Sequence, residues 1–353
     1  MTPCTVPFTA TDVPSDLTSL DRLIAAVDRE RFQSSIRHLQ RQFDIYASTS
    51  PEPLPAPGLL ITREIRCQCE LYLPISPIST LFNRLYRSAL RYPPLLSVTP
   101  FHRSHSWADT FALLPPRFHF GANPAKLLDA LLTDRELLLF FLLTSFLPDR
   151  FYGREARYPE QQKFIGEWLA RNGMGAATIL DAACGAGEET RLLAVQLLDA
   201  GIAPDRLRME GWTIEPLEVW CADHGRFPHD RRKEELTLQL ARAVRERGGD
   251  SVLTFHCADL TTRSTPGTLS SFSIIVCNGL LGGPIIAETE QIVQTLRNLL
   301  ALLKPGGILL IADHFHGGWK KKCPQDSLRA LLEAEGLESF IAGEGIGALY
   351  PDK

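Results

Sequence analysis

The sequence predicts an α/β fold, with a doubly wound, mostly parallel sheet behind a mainly helical N-terminal domain. Three observations predict it. Beyond Pro159, short apolar segments alternate with helical ones, as in a parallel sheet covered on both faces. One apolar segment, Ala177 to Leu180, runs into a turn carrying Gly185 and Gly187 and then into a helix. Before Pro159, apolar residues recur at three- and four-residue intervals between proline clusters. A length of 353 residues suits two domains. The boundary is expected at 150: residues 1–150 form the helical domain and residues 151–353 the α/β domain.

Each element follows from a local pattern. In the first domain, Leu20, Leu23, Ile24, Val27, Ile36, Leu39 and Phe43 predict one long helix or two shorter ones over Leu17–Tyr46. Pro51, Pro53, Pro55 and Pro57 then form a stiff connector. Ile61 to Leu73 alternates and favours a strand, and Ile78 to Tyr92 returns to helical spacing. An irregular region from Pro93 to Pro124 precedes helices at Pro124–Leu132 and Asp134–Leu147. In the second domain, helices are expected at Pro159–Arg171, Glu189–Leu198, Glu218–Asp223, Asp230–Arg247 and Glu288–Leu303. Strands are expected at Ala177–Leu180, Arg208–Ile214, Val252–Cys257, Phe272–Cys277 and Gly307–Ala312.

Composition excludes several classes. Apolar residues make up 44% and charged residues 22%, which excludes a disordered or collagen-like chain. A net charge of −4, with no basic segment interleaved with aromatics, points away from nucleic acid. The short basic run Trp319 to Lys322 reads as a solvated loop. Met1 to Ala10 lacks the basic and apolar regions of a secretory signal. The longest apolar run, Leu137 to Leu147, is far shorter than the roughly 20 residues of a membrane span, so it is expected to be a buried helix. The eight cysteines form no C-x-x-C pair, and the close histidine pairs lack further ligands nearby. Reduced thiols in a cytoplasmic protein without a metal are expected.

The chemistry concentrates in Thr178-Ile-Leu-Asp-Ala-Ala-Cys-Gly-Ala-Gly-Glu-Glu-Thr190. Gly185 and Gly187 permit a tight turn and close approach to a ligand. The G-x-G-x-x-G spacing of a dinucleotide site is missing. Asp181 precedes the glycines, and Glu188 and Glu189 open the helix. Such acids repel a pyrophosphate and attract an ammonium or sulfonium, although Glu188 and Glu189 could instead complement the helix dipole. S-adenosyl-L-methionine carries both cations and no phosphate. Glu215 ends the next strand, where an acid can accept ribose hydroxyls. Asp259, with Leu260 beside it, follows a third strand and could accept from the adenine amino group. Asn278 ends a fourth. Leu303 to Ile308 reads as a structural turn.

In these motifs the chain resembles class I S-adenosylmethionine-dependent methyltransferases from roughly Pro159 to Lys353, with Ala183 standing where many members have glycine. The resemblance implies a seven-stranded sheet and binding of S-adenosyl-L-methionine. A closer likeness is to the chemotaxis receptor glutamate methyltransferases. Cys184 to Thr190 is similar to their C-x-T-G-E-E-P turn, Ala222 to Phe227 to their A-R-x-G-x-Y segment, and Phe272 to Leu280 to their F-D-L-I-F-C-R-N-V stretch, without its arginine. Phe151 to Arg154 is similar to the F-F-R entry, which implies that Arg154 meets the cofactor's methionine end. That family's inserted β-subdomain is missing, because the stretch Arg231 to Arg247 is charged and helix-like.

The methyl acceptor is open between a small molecule, slightly favoured, and a protein carboxylate. A non-catalytic, cofactor-sensing module is a third reading. His314 and His316, beyond the last predicted strand, are the candidate general bases. The N-terminal half is expected to cover the cofactor cleft and supply acceptor specificity. Phe101, Trp107, Phe111, Phe118 and Phe120 would line the pocket or else fill the N-terminal core.

Overall fold

The computed structural model describes residues 17–147, 157–172, 176–262, 271–283, 285–312 and 322–351. They fall into two compact units that divide between Asp149 and Arg150.

The first unit is helical. It comprises α1 (Gln33–Thr49), α2 (Arg63–Tyr72), α3 (Ile75–Ala89), the short α4 (Pro100–Arg103) and α5 (Trp107–Leu113), then α6 (Pro124–Thr133) and α7 (Arg135–Phe146). Two 3-10 turns, Leu17–Arg22 and Arg29–Phe32, precede α1, so the expected helix over Leu17–Tyr46 starts only at Gln33. The strand expected at Ile61–Leu73 is instead α2. Thr62 caps its first turn by accepting from the Ile65 amide at 3.3 Å. Only Ile65, Cys69 and Leu73, spaced by four, are fully buried, while Leu71 is 67% exposed. The apparent alternation concealed a helical stripe. The Leu137–Leu147 run lies in α7, a core helix as expected, and no described helix is long and apolar enough to cross a membrane.

The core of this unit is aromatic. Phe82 stacks on Phe101 at 4.2 Å between ring centroids, Tyr86 on Phe141 at 5.7 Å, and Phe118 meets Phe141 edge-on at 5.3 Å. Trp107 donates its indole N–H to the Ala122 carbonyl at 2.6 Å. Phe101, Trp107, Phe111 and Phe118 are therefore buried in the core of their own unit.

The second unit is a three-layer α/β sandwich. Its strands are β1 (Ala177–Asp181), β2 (Leu207–Thr213), β3 (Leu253–Cys257), β4 (Phe272–Asn278), β5 (Leu303–Ala312), β6 (Glu338–Ala342) and β7 (Gly345–Leu349). The sheet order is β3-β2-β1-β4-β5-β7-β6, with β7 antiparallel to both of its neighbours and every other pairing parallel. The helices are α8 (Pro159–Arg171), α9 (Glu188–Asp199), α10 (Pro216–His224), α11 (Arg231–Glu246), α12 (Thr289–Leu302) and α13 (Gln325–Ala334).

Successive strand residues enter opposite cores. Ile179, Met209, Ile274 and Leu310 pack with Ile165 of α8 and Leu193 of α9. Leu180, Trp212, Ile275 and Leu309 pack with Leu296 of α12 and Leu332 of α13. The predicted turn at Leu303–Ile308 lies inside β5. There the pairing with β4 jumps from Phe272–Leu303 to Ile274–Ile308, and Gly306 takes a φ of +71°.

Candidate functional site

The strand order reverses at β1 and β4, which are neighbours at the centre of the sheet. Ligands of open α/β sheets bind beyond the carboxyl ends of the strands at such a point, and Asp181 ends β1 there. The turn that follows is stitched to both neighbouring strands. The Ala182 amide donates to the Val276 carbonyl at 2.7 Å and the Cys184 amide to the Trp212 carbonyl at 3.0 Å. Gly185 (φ +54°) and Gly187 (φ +79°) take left-handed backbone. A Cβ on Gly187 would lie 2.5 Å from the Phe255 ring, so the ring of β3 as well as the backbone demands glycine here.

Carboxylates surround this turn. Asp181 accepts from the Thr190 hydroxyl at 2.6 Å, and burial pushes its pKa up to about 6. Glu189 accepts from the Arg157 amide at 3.2 Å and from the Gln162 side-chain amide at 2.8 Å. Glu188 lies 3.3 Å from the Lys233 ammonium, which α11 supplies. Glu218, on α10, accepts from the Thr213 hydroxyl at 2.5 Å. Burial raises Glu188, Glu189 and Glu218 above the usual carboxylate range, outweighing the opposing pull of Lys233 on Glu188, of Arg157 on Glu189, and of Thr213 and Lys233 on Glu218. Arg191 of α9 is buried with its guanidinium 4.8 Å from the centre of the Phe255 ring. It donates to the Gly187 carbonyl at 3.3 Å and to the Ala222 carbonyl, and burial lowers its pKa to about 10.

The register places the other acids. Thr213 of β2 pairs with Cys257 of β3, and Glu215 and Asp259 each lie two residues further on. Glu215 is buried and caps α10 by accepting from the Leu217 amide at 3.1 Å. Asp259 is exposed, and its Oδ1 accepts from the Thr261 amide and hydroxyl at 2.8 and 2.6 Å. Leu260 is buried and gives its carbonyl to Asn298 of α12 at 2.9 Å. Asn278 ends β4 and forms a reciprocal amide pair with Gln161 of α8, at 2.6 and 3.2 Å. Its Oδ1 also accepts from the Ala312 amide at 2.9 Å. Its side chain is thus committed to fixing the ends of β4 and β5 to α8.

Asp181, Gly185, Gly187, Glu188, Glu215, Asp259, Leu260 and Asn278 all stand at or just beyond the carboxyl ends of β1 to β4. Arg154, His314 and His316 lie outside the described residues. Sequence reasoning missed Thr190, Gln161, Glu218 and Lys233. Glu218 follows Glu215 by three positions, a spacing that keeps two residues on one helical face. Lys233 carried no such signal, because a lysine in a charged helix reads as solvated. His256 is a β3 residue, 3.2 Å from the Thr254 hydroxyl and 3.8 Å from Glu210. The described residues contain no cluster of three metal-ligating side chains.

Neither a family model nor a curated protein matches the chain. Among solved structures, the (4+2)-cyclase SpnF is similar at 21% identity and a TM-score of 0.35, over 54% of this chain and 63% of SpnF, so the match spans under two thirds of that protein. An S-adenosylmethionine-dependent methyltransferase from Aquifex aeolicus is similar at 15% identity and a TM-score of 0.36, over 54% of this chain and 90% of that one. The N-methyltransferase NodS from Bradyrhizobium japonicum, in complex with S-adenosyl-L-homocysteine, is similar at 16% identity and a TM-score of 0.36, over 59% and 94%.

Proposed function

We propose that this chain is an S-adenosyl-L-methionine-dependent methyltransferase. The observation that carries the reading is the set of four carboxylates, Asp181, Glu188, Glu189 and Glu218, gathered about the glycine turn where the strand order reverses. Burial holds each above its ordinary pKa despite Arg157, Lys233 and Arg191 nearby. Such a site stabilises an additional cation and opposes a pyrophosphate. S-adenosyl-L-methionine fits that charge pattern. Its ammonium would meet the acids of the turn, its ribose hydroxyls Glu215, and its adenine the rim formed by Asp259 and Leu260. Arg154 is proposed as the partner of its carboxylate.

When bound, the cofactor supplies a methyl group on a sulfonium centre. The chain's residues bind and position it. Asp181, held by Thr190, keeps one orientation, and the Gln161–Asn278 pair fixes the ends of β4 and β5. Positioning of this kind provides most of the rate in an in-line displacement. His314 and His316 are the proposed bases for an acceptor that must lose a proton. A small-molecule acceptor is favoured, because the stretch corresponding to the chemoreceptor-docking subdomain is the single helix α11.

Isothermal titration of the full chain with S-adenosyl-L-methionine and S-adenosyl-L-homocysteine tests the proposal. Micromolar binding of both is expected, and absence of binding at roughly 0.5 mM overturns it. Methyl label entering metabolite extract supports the small-molecule acceptor; base-labile label in protein overturns that part. Binding without transfer to any acceptor supports the cofactor-sensing module instead.

A further inference from the structure

A second site lies in the helical unit. A shallow, open cleft of about 370 Å³ lies beside α1 and α6. Its apolar lining comes from Ile36 and Ala125 and from the stems of longer side chains. Three cations stand around it. Arg37 and Arg41 lie four residues apart on α1, and Lys126 lies in the first turn of α6. All three are exposed, and none is in an ion pair among the described residues. The one acid of the lining, Asp129, is already engaged by Arg29, whose Nε and Nη2 approach Oδ1 at 2.9 and 2.8 Å.

Two like charges four apart on a helix repel, and a third across the cleft adds to the cost. The walls are nevertheless fixed. Gln40 donates to Asp44 at 2.7 Å and accepts from Asn123 at 2.9 Å, while Asn123 also caps α6 by accepting from the Ala125 and Lys126 amides. The polar groups of the wall bond to one another, Asp129 faces Arg29, and Arg37, Arg41 and Lys126 stay outside every ion pair among the described residues.

We infer that this cleft binds a small organic anion, a carboxylate or phosphate group on an apolar body. The apolar body packs on Ile36 and the stems of the surrounding side chains while the oxyanion bridges Arg37, Arg41 and Lys126. The inference stands independently of the proposed methyltransferase activity.

The experiment titrates phenyl phosphate, benzoate, benzyl alcohol and inorganic phosphate into the full chain, followed by isothermal titration and ligand-observed NMR. Wild type is expected to bind phenyl phosphate or benzoate, more weakly as salt rises. The double variant Arg37→Gln/Arg41→Gln is expected to bind the same ligand about tenfold more weakly, and Lys126→Gln a few-fold more weakly. Binding of phenyl phosphate alone assigns phosphate esters, and binding of both assigns oxyanions generally. The variants change exposed side chains and should melt with wild type. The inference is overturned if neither aromatic anion binds at about 10 mM, if the double variant binds as tightly as wild type, or if benzyl alcohol or inorganic phosphate binds equally well.

Discussion

Gly187 and Asp181 show how single residues set the character of the site. At Gly187 a left-handed backbone and the Phe255 ring exclude a side chain. Gly187→Ala should cost about 1–2 kcal/mol for the backbone alone. Displacement of the ring adds to that, and a thermal melt will read the sum as a fall of several degrees. Asp181 has a folded-state pKa raised to about 6. Its charged form is therefore the disfavoured one, and its contribution to stability falls as pH rises from about 4 to about 6. A cationic ligand has the opposite preference and requires the ionised carboxylate. S-adenosyl-L-homocysteine affinity should then drop as pH falls below about 6, by up to about tenfold per unit for one linked proton. Titrations at several pH values will show this slope, and Asp181→Asn should bind weakly with the slope flattened. An unchanged slope in that variant would remove Asp181 from the cation site.

The elements were legible where one period dominated. The five strands and most of the helices of the second unit are visible in the sequence because parallel strands buried on both faces are nearly continuous apolar runs. The strand β2, for example, differs from its sequence reading by one residue at each end. The reading failed at α2, where Cys67, Cys69 and Leu71 mimic a strand while Ile65, Cys69 and Leu73 form the true buried stripe. β6 and β7 lie where no local pattern predicts an element. Of the site, the acids at strand ends were legible from position alone. The contacts between elements were not, because no local pattern encodes them. The Lys233–Glu188 pair is the clearest case. Lys233 is 6% exposed and tethers α11 to the first turn of α9, its ammonium also 4.8 Å from the centre of the Phe227 ring. Lys233→Met takes from the buried Glu188 its nearest counter-charge, a loss of up to about 3–5 kcal/mol. Adding Glu188→Gln removes the orphaned charge, so the double variant should regain much of that loss. A double-mutant cycle by denaturant unfolding measures the coupling, and strict additivity would mean that the pair contributes nothing.

At the scale of the whole molecule, the chain joins a helical unit with its own aromatic core to an α/β unit with two cores of its own. Each buries its own set of large side chains. In the second unit, the residues from α8 to β7 build the sheet, the glycine turn and the acids at the strand ends. They supply the proposed cofactor residues, none of which lies in the helical unit. We propose that acceptor recognition depends on the helical unit. Its own aromatic residues are mostly spent on packing, so that recognition must use its surface and the chain outside its core. A truncated chain beginning near Arg150 separates the two roles. It should fold, with the secondary structure of an α/β domain by circular dichroism, and bind S-adenosyl-L-homocysteine within a few-fold of the full chain, because Asp181, Glu188, Glu215 and Asp259 all remain. Transfer to the native acceptor should be lost. Folding, cofactor binding and transfer at the full rate together would show instead that the helical unit has no part in choosing the acceptor.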